Sequence, residues 1–154
     1  MGTAKHASKA VVNMQTQASG GISVAFVSLA DGAGVTGRTM DLGTVAYYGY
    51  SRAANVQVRA LKDRLVVSTK LGLVLQDPSQ QFTRATLLAS LAYPDPVHVL
   101  WLDGVRLGTT PQVIQAQAPV GKTSAHRLEI EVPTSLTERN SGLQNSIVVQ
   151  VVPN

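Results

Sequence analysis

Gly32-Ala33-Gly34-Val35-Thr36-Gly37 matches G-x-G-x-x-G and follows an apolar run, where a dinucleotide-binding turn would hold a pyrophosphate. That chemistry needs a helix opening at the third glycine. Here Thr39-Met40-Asp41-Leu42-Gly43-Thr44-Val45 follows, with Gly49 soon after, and no acid stands between Asp41 and Asp63 to hold a ribose. A flexible hairpin loop is the expectation. Gly121-Lys122-Thr123 imitates the end of a P-loop, but Ala116 stands where the first glycine of the cradle belongs. A polar turn after Pro119 is expected there.

The histidines are His6, His98 and His126. No H-x-x-x-H pair occurs, and no carboxylate is spaced to complete a zinc site. The chain has no cysteine, which removes thiolate metal sites, cysteine nucleophiles and disulfides. There is no G-x-S-x-G elbow. The expectation is no metal, no cofactor, no catalytic residue and no enzyme, with His6 in an N-terminal tail and His98 and His126 at the surface or at strand edges. Glu129 and Glu131 share a strand face at roughly 7 Å, a spacing a glycosidase pair also uses. Arg127 stands beside them, so a solvated salt-bridge ladder is expected instead. Tyr47, Tyr48 and Tyr50 cluster around Gly49. With Trp101 they could form a platform for a glycan or small ligand. The alternative is that they pack internally, with Trp101 a core anchor between Leu100 and Leu102.

Whatever these residues do, a β-rich scaffold must position them. The chain has 154 residues, 44% apolar and only 14% charged, against a usual charged share of about a quarter. That profile excludes coiled coils and charged disordered tails, and no run of 18 apolar residues offers a transmembrane helix. The net charge is +4, but Arg38, Arg52, Arg59, Arg64, Arg84, Arg106, Arg127 and Arg139 are scattered singly. Without a basic stripe interleaved with aromatics, no nucleic-acid partner is expected. Lys5 and Lys9 precede Val11-Val12-Asn13-Met14-Gln15, which is no apolar signal-peptide core, so a leader is expected to be absent or removed.

A period of two dominates. It predicts strands over 22–30, 39–47, 54–60, 64–75 with a bulge at Gly72, 97–102, 105–107, 112–118, 125–132 and 145–152. Residues 83–92 read as either a short helix or a strand. Asp103-Gly104 is the residue pair that a type I′ hairpin turn prefers. Eight or nine short strands without helical crossovers predict an all-β, antiparallel, immunoglobulin-like sandwich. Two parts are expected: an N-terminal extension over 1–21 and the sandwich over 22–154. In the extension, Ala10, Val12, Met14, Thr16 and Ala18 fall on one face and Val11, Asn13, Gln15 and Gln17 on the other. Gly20-Gly21 then makes a joint. Residues 8–18 are either the first strand of this chain's own sheet or a strand that pairs with a neighbouring subunit.

Several stretches resemble chaperone–usher pilus subunits, especially the archaic group that includes spore-coat-U-like proteins. They are Met40-Asp41-Leu42-Gly43-Thr44-Val45, Val56-Gln57-Val58, Leu65-Val66-Val67 and Leu100-Trp101-Leu102-Asp103-Gly104. Leu128-Glu129-Ile130-Glu131-Val132-Pro133 and the closing Ile147-Val148-Val149-Gln150-Val151-Val152 complete the set. The resemblance covers about residues 22–154. It implies an incomplete immunoglobulin-like fold whose missing strand is donated by the next subunit's N-terminal extension. In this chain Ala10, Val12, Met14, Thr16 and Ala18 would be the groove-facing positions and Gly20 and Gly21 the hinge. The implied function is a structural subunit of an extracellular or cell-surface filament. Its partners would be copies of itself, with a periplasmic chaperone and an usher. A glycan- or small-ligand-binding sandwich is the other expectation.

Overall fold

A computed structural model describes residues 8–46, 49–96, 98–133 and 146–153, with 8–11, 45–46, 49–50 and 133 described in backbone alone. Every regular element among them is a strand. In chain order these are β1 (Ser8–Gln17), β2 (Ser23–Val27), β3 (Val35–Thr36), β4 (Thr39–Ala46), β5 (Gly49–Arg52), β6 (Gln57–Ala60) and β7 (Arg64–Gln76). They continue with β8 (Arg84–Leu91), β9 (Val99–Leu102), β10 (Val105–Arg106), β11 (Gln112–Pro119), β12 (Thr123–Pro133) and β13 (Ser146–Pro153). The ambiguous stretch 83–92 is thus a strand. Its Ala85, Leu87, Ala89 and Leu91 are all buried, a period of two that a helix would scatter around its axis.

The strands form two sheets. The first runs β11-β8-β13-β1-β4-β3, with β5 also on β4. The second runs β10-β9-β12-β7-β2, with β6 also on β7. The result is an immunoglobulin-like sandwich, antiparallel except where β1 lies parallel to β13. The core fills from alternate positions of both sheets. Met40, Leu42, Leu87, Ile147 and Val149 enter from the first; Leu71, Leu73, Leu100, Leu128 and Ile130 enter from the second.

β7 and β12 form one ladder from Thr123↔Val74 to Pro133↔Arg64 without a register shift. The bulge expected at Gly72 is therefore not there. The glycine serves a close approach instead: a Cβ would stand 2.7 Å from the Val27 carbonyl oxygen. Side-chain absence lets β2 lie tight against β7.

Candidate functional site

The most distinctive site is the slot that β1 fills. β1 lies between β13 and β4 of its own chain. It runs parallel to β13 from Asn13↔Ser146 to Gln17↔Gln150, and antiparallel to β4, with Val12↔Met40 and Asn13↔Thr39 among the pairs. Val12 and Met14 point into the core, 0% and 1% exposed, while Asn13, Gln15 and Gln17 face solvent. Burial of such side chains is worth about 1.5–3 kcal/mol each. Thr16 and Ala18 are exposed, so the groove-facing stripe is shorter than the alternation implies. The reason is the reach of β4. Its last contact to β1 is Arg38 O accepting the Met14 N–H at 2.8 Å, and beyond it β1 has one strand neighbour, β13, among the described residues. The side chain of Ala10 lies outside the described residues.

Gly20 and Gly21 close β1 onto β2. Ser19 and Ile22 exchange both backbone hydrogen bonds at 3.0 Å, and φ is +61° at Gly20 and +85° at Gly21. Positive φ at both central residues is the type I′ requirement that glycine meets without strain. The joint is a two-residue turn that carries the chain from one sheet to the other. A Cβ on Gly20 would stand 2.5 Å from Pro153 Cγ, so the end of β13 packs on this turn.

The aromatic platform divides. Tyr47 and Tyr48 lie outside the described residues. Tyr50 is described in backbone alone, paired with Val45. Trp101 does not anchor the core. Leu100 and Leu102 take the interior positions at 1% and 0% exposure, and strand parity turns Trp101 outward, half-buried opposite Glu129. Its indole N–H donates to Glu131 Oε2 at 3.1 Å. Arg127 Nη2 stands 3.4 Å from Glu129 Oε2. These two carboxylates belong to a surface ladder, as their alternation predicts.

The glycine run 32–37 is occupied by the protein itself. Thr69 Oγ1 accepts the Ala33 N–H and donates to Asn55 O, each at 2.9 Å. Asn55 Nδ2 donates to Ala30 O at 3.2 Å and Gly32 O at 3.1 Å. This knot pins the loop to β7.

A further constellation has no counterpart in the sequence motifs. Asp103 opens the β9–β10 turn, with φ +51° there and +79° at Gly104. Its Oδ1 accepts the Arg127 N–H at 2.8 Å, and its Oδ2 lies 2.5 Å from His126 Nδ1. His126 Nε2 lies 2.7 Å from Ser124 Oγ. His126 is 3% exposed and His98 6%, so neither is the surface or edge histidine that the sequence suggests. Each is buried with an aspartate, His98 Nδ1 lying 3.1 Å from Asp95 Oδ2. The visible signal for the first cluster was Ser-x-His on an alternating strand. Its aspartate arrives from 23 residues upstream, and only the hairpin's register brings it near.

Asp103, Ala125, His126 and Arg127 border an open groove of about 860 Å³, with Arg52, Asn55, Gln57 and Lys70 on its other walls. Lys70 Nζ pairs with Asp31 Oδ2 at 2.6 Å. That hydrogen bond holds the Asp31 carboxyl below its ordinary pKa. No family model, curated protein or solved structure matches the chain.

Proposed function

We propose that this protein is a structural subunit of an extracellular filament, assembled when β1 of one copy fills the β13–β4 slot of the next. The observation that carries this reading is the place of β1. A segment joined to the rest of the chain through one two-glycine turn sits in the interior of a sheet, hydrogen-bonded on both sides. Without it, β13 and β4 each lose a ladder partner, and the core loses Val12 and Met14. An interior slot of this kind demands an occupant, and a second copy carries an identical one. Exchange reproduces the same contacts between chains, so its cost lies in opening the turn and in association. Each copy would donate one strand and accept one. Such a head-to-tail contact generates an open chain when the rotation does not close. Main-chain hydrogen bonds supply strength, and the alternate side chains Val12 and Met14 supply register.

Paired cysteines test this, because the chain contains none of its own. Asn13 and Thr39 face each other across β1 and β4. The Met14–Arg38 hydrogen bond makes theirs a non-hydrogen-bonded pair, with Cα atoms about 4.5 Å apart, within disulfide range. Asn13→Cys with Thr39→Cys, oxidised in concentrated protein, should give a ladder of linked multimers on a non-reducing gel. Intrachain disulfides alone, at every concentration, would overturn the reading.

A further inference from the structure

We propose that the open groove on the outer face of the second sheet binds an acidic saccharide, one that carries carboxylate or sulfate groups among its hydroxyls. This inference is independent of strand exchange. It rests on cations that the fold brings together from separate elements, and on neutral polar groups left unengaged beside them.

The groove lies over the β7–β12 ladder. Lys70 and Arg127 are direct partners in that ladder, and both are exposed. They therefore stand side by side on the outer face. Like charges directly opposite one another destabilise a sheet. Here the two heads turn apart, Lys70 Nζ to Asp31 Oδ2 at 2.6 Å and Arg127 Nη2 to Glu129 Oε2 at 3.4 Å. Arg52 joins them on the groove wall from the end of β5. Among the described residues its one hydrogen bond runs from Nη1 to Val56 O at 3.5 Å, and no carboxylate pairs with it. A guanidinium carries several N–H donors in a planar fork, so most of this one is open to a ligand.

Two carboxylates also border the groove, and both are engaged. Asp31 is paired with Lys70, while Asp103 accepts the Arg127 N–H and meets His126 Nδ1. An anion entering the groove thus meets Arg52 unpaired and Lys70 and Arg127 each held by a single acidic partner on one side. Charge-assisted bonds from such groups to carboxylate or sulfate oxygens are the strong kind.

The neutral groups select a sugar. Gln57 and Ser68 face each other across β6 and β7 and border the groove. Neither side chain makes a hydrogen bond among the described residues. An amide and a hydroxyl both donate and accept, which matches the hydroxyls of a saccharide ring beside its acidic group. No aromatic residue borders the groove among the described residues, so nucleic-acid bases have nothing to stack on. At Ser68 the floor is paired to β6 and to β12, which leaves a peptide backbone no strand edge to join there. The volume of about 860 Å³ falls within the usual range of small-ligand sites, about 300–1,000 Å³.

The test is calorimetric titration of the full chain with a galacturonate tetramer, a heparin tetrasaccharide, maltotetraose and tetraglutamate. At least one of the two acidic sugars should bind at a single saturable site, at least tenfold tighter than maltotetraose and tetraglutamate. Which of the two binds more tightly separates a carboxylated from a sulfated ligand. Arg52→Gln should weaken that binding at least tenfold, as loss of a hydrogen bond between charged groups does. Gln57→Ala leaves the net charge unchanged and should weaken it at least threefold. Arg38→Gln makes the same change of charge in the exposed β3–β4 turn and should stay within twofold of the wild type. Binding of neither acidic sugar, equal binding of tetraglutamate or maltotetraose, an unchanged affinity in Gln57→Ala, or equal losses in Arg38→Gln and Arg52→Gln would each overturn the proposal.

Discussion

Asp77 organises the β7–β8 connection through one carboxylate. Its Oδ1 accepts the Ser79 hydroxyl at 2.5 Å and the Ser79 N–H at 3.1 Å; its Oδ2 accepts the N–H groups of Gln81 at 2.7 Å and Phe82 at 2.9 Å. The Ser79 hydroxyl, first, holds this carboxyl below its ordinary value of 3.8; desolvation opposes it, and the backbone amides of Phe82, Gln81 and Ser79 add to the lowering. A depressed folded-state pKa stabilises the protein above the unfolded value, and that contribution is lost as pH falls through the folded one. Thermal melts between pH 5 and pH 2 should therefore show the wild type losing its Asp77 contribution below about pH 4, with a shallower acid slope in Asp77→Ala. Thr69 poses a starker case. Thr69→Val keeps the shape but strands the Ala33 N–H and the Asn55 carbonyl, both satisfied by Thr69 Oγ1. A buried unpaired group costs about 1–3 kcal/mol, and urea denaturation should show a loss of that order.

At the scale of elements, alternation made most of the strands legible. Leu128, Ile130 and Val132 are buried as their spacing predicts. The outward residues between them carry the charges. The type I′ turn at Asp103-Gly104 was equally visible, because its backbone demands those residues. What alternation cannot encode is the partner. Thr16 and Ala18 continue the pattern of Val12 and Met14, yet they are exposed because β4 stops short of them. Trp101 sits on the outer phase of a strand whose inner phase two leucines already fill. Ser124 and His126 share a strand face, but the aspartate that completes their cluster depends on a tertiary register. The two phases of β1 make a direct comparison. Met14→Ala should cost about 2–5 kcal/mol, and Gln15→Ala should stay within about 0.5 kcal/mol, both read from denaturation midpoints. Gly72→Ala puts a methyl against the Val27 carbonyl. It should cost about 1–3 kcal/mol by forcing β2 away from β7.

For the molecule as a whole, the first described strand pairs with the last. Nearly the whole chain must be in hand before that ladder can close. Loop-closure entropy then opposes β1 docking until late, and folding dominated by such non-local pairs runs on the millisecond-to-second scale. While the slot stands open, β1 of another molecule competes for it. Refolding from denaturant should give monomer in dilute solution and a growing share of multimers as protein concentration rises, read by size-exclusion chromatography with light scattering. Met14→Asp should abolish those multimers, since a buried unpaired charge is as unwelcome between chains as within one.

The parallel alignment of β1 with β13 gives the molecule a compass. Pro153 lies against Gly20 at one pole, while Ser8, at the far end of a strand of 10 residues, lies roughly 30 Å away at the other. A fluorophore attached at Pro153 would report on the β1–β2 turn, and one at Ser8 would sit beyond its immediate surroundings. Two such dyes on one molecule make a ruler: withdrawal of β1 into another copy would change their separation and their energy transfer. Tandem copies would need about ten extended residues between Pro153 of one copy and Ser8 of the next to cross from pole to pole, before both could keep the same fold.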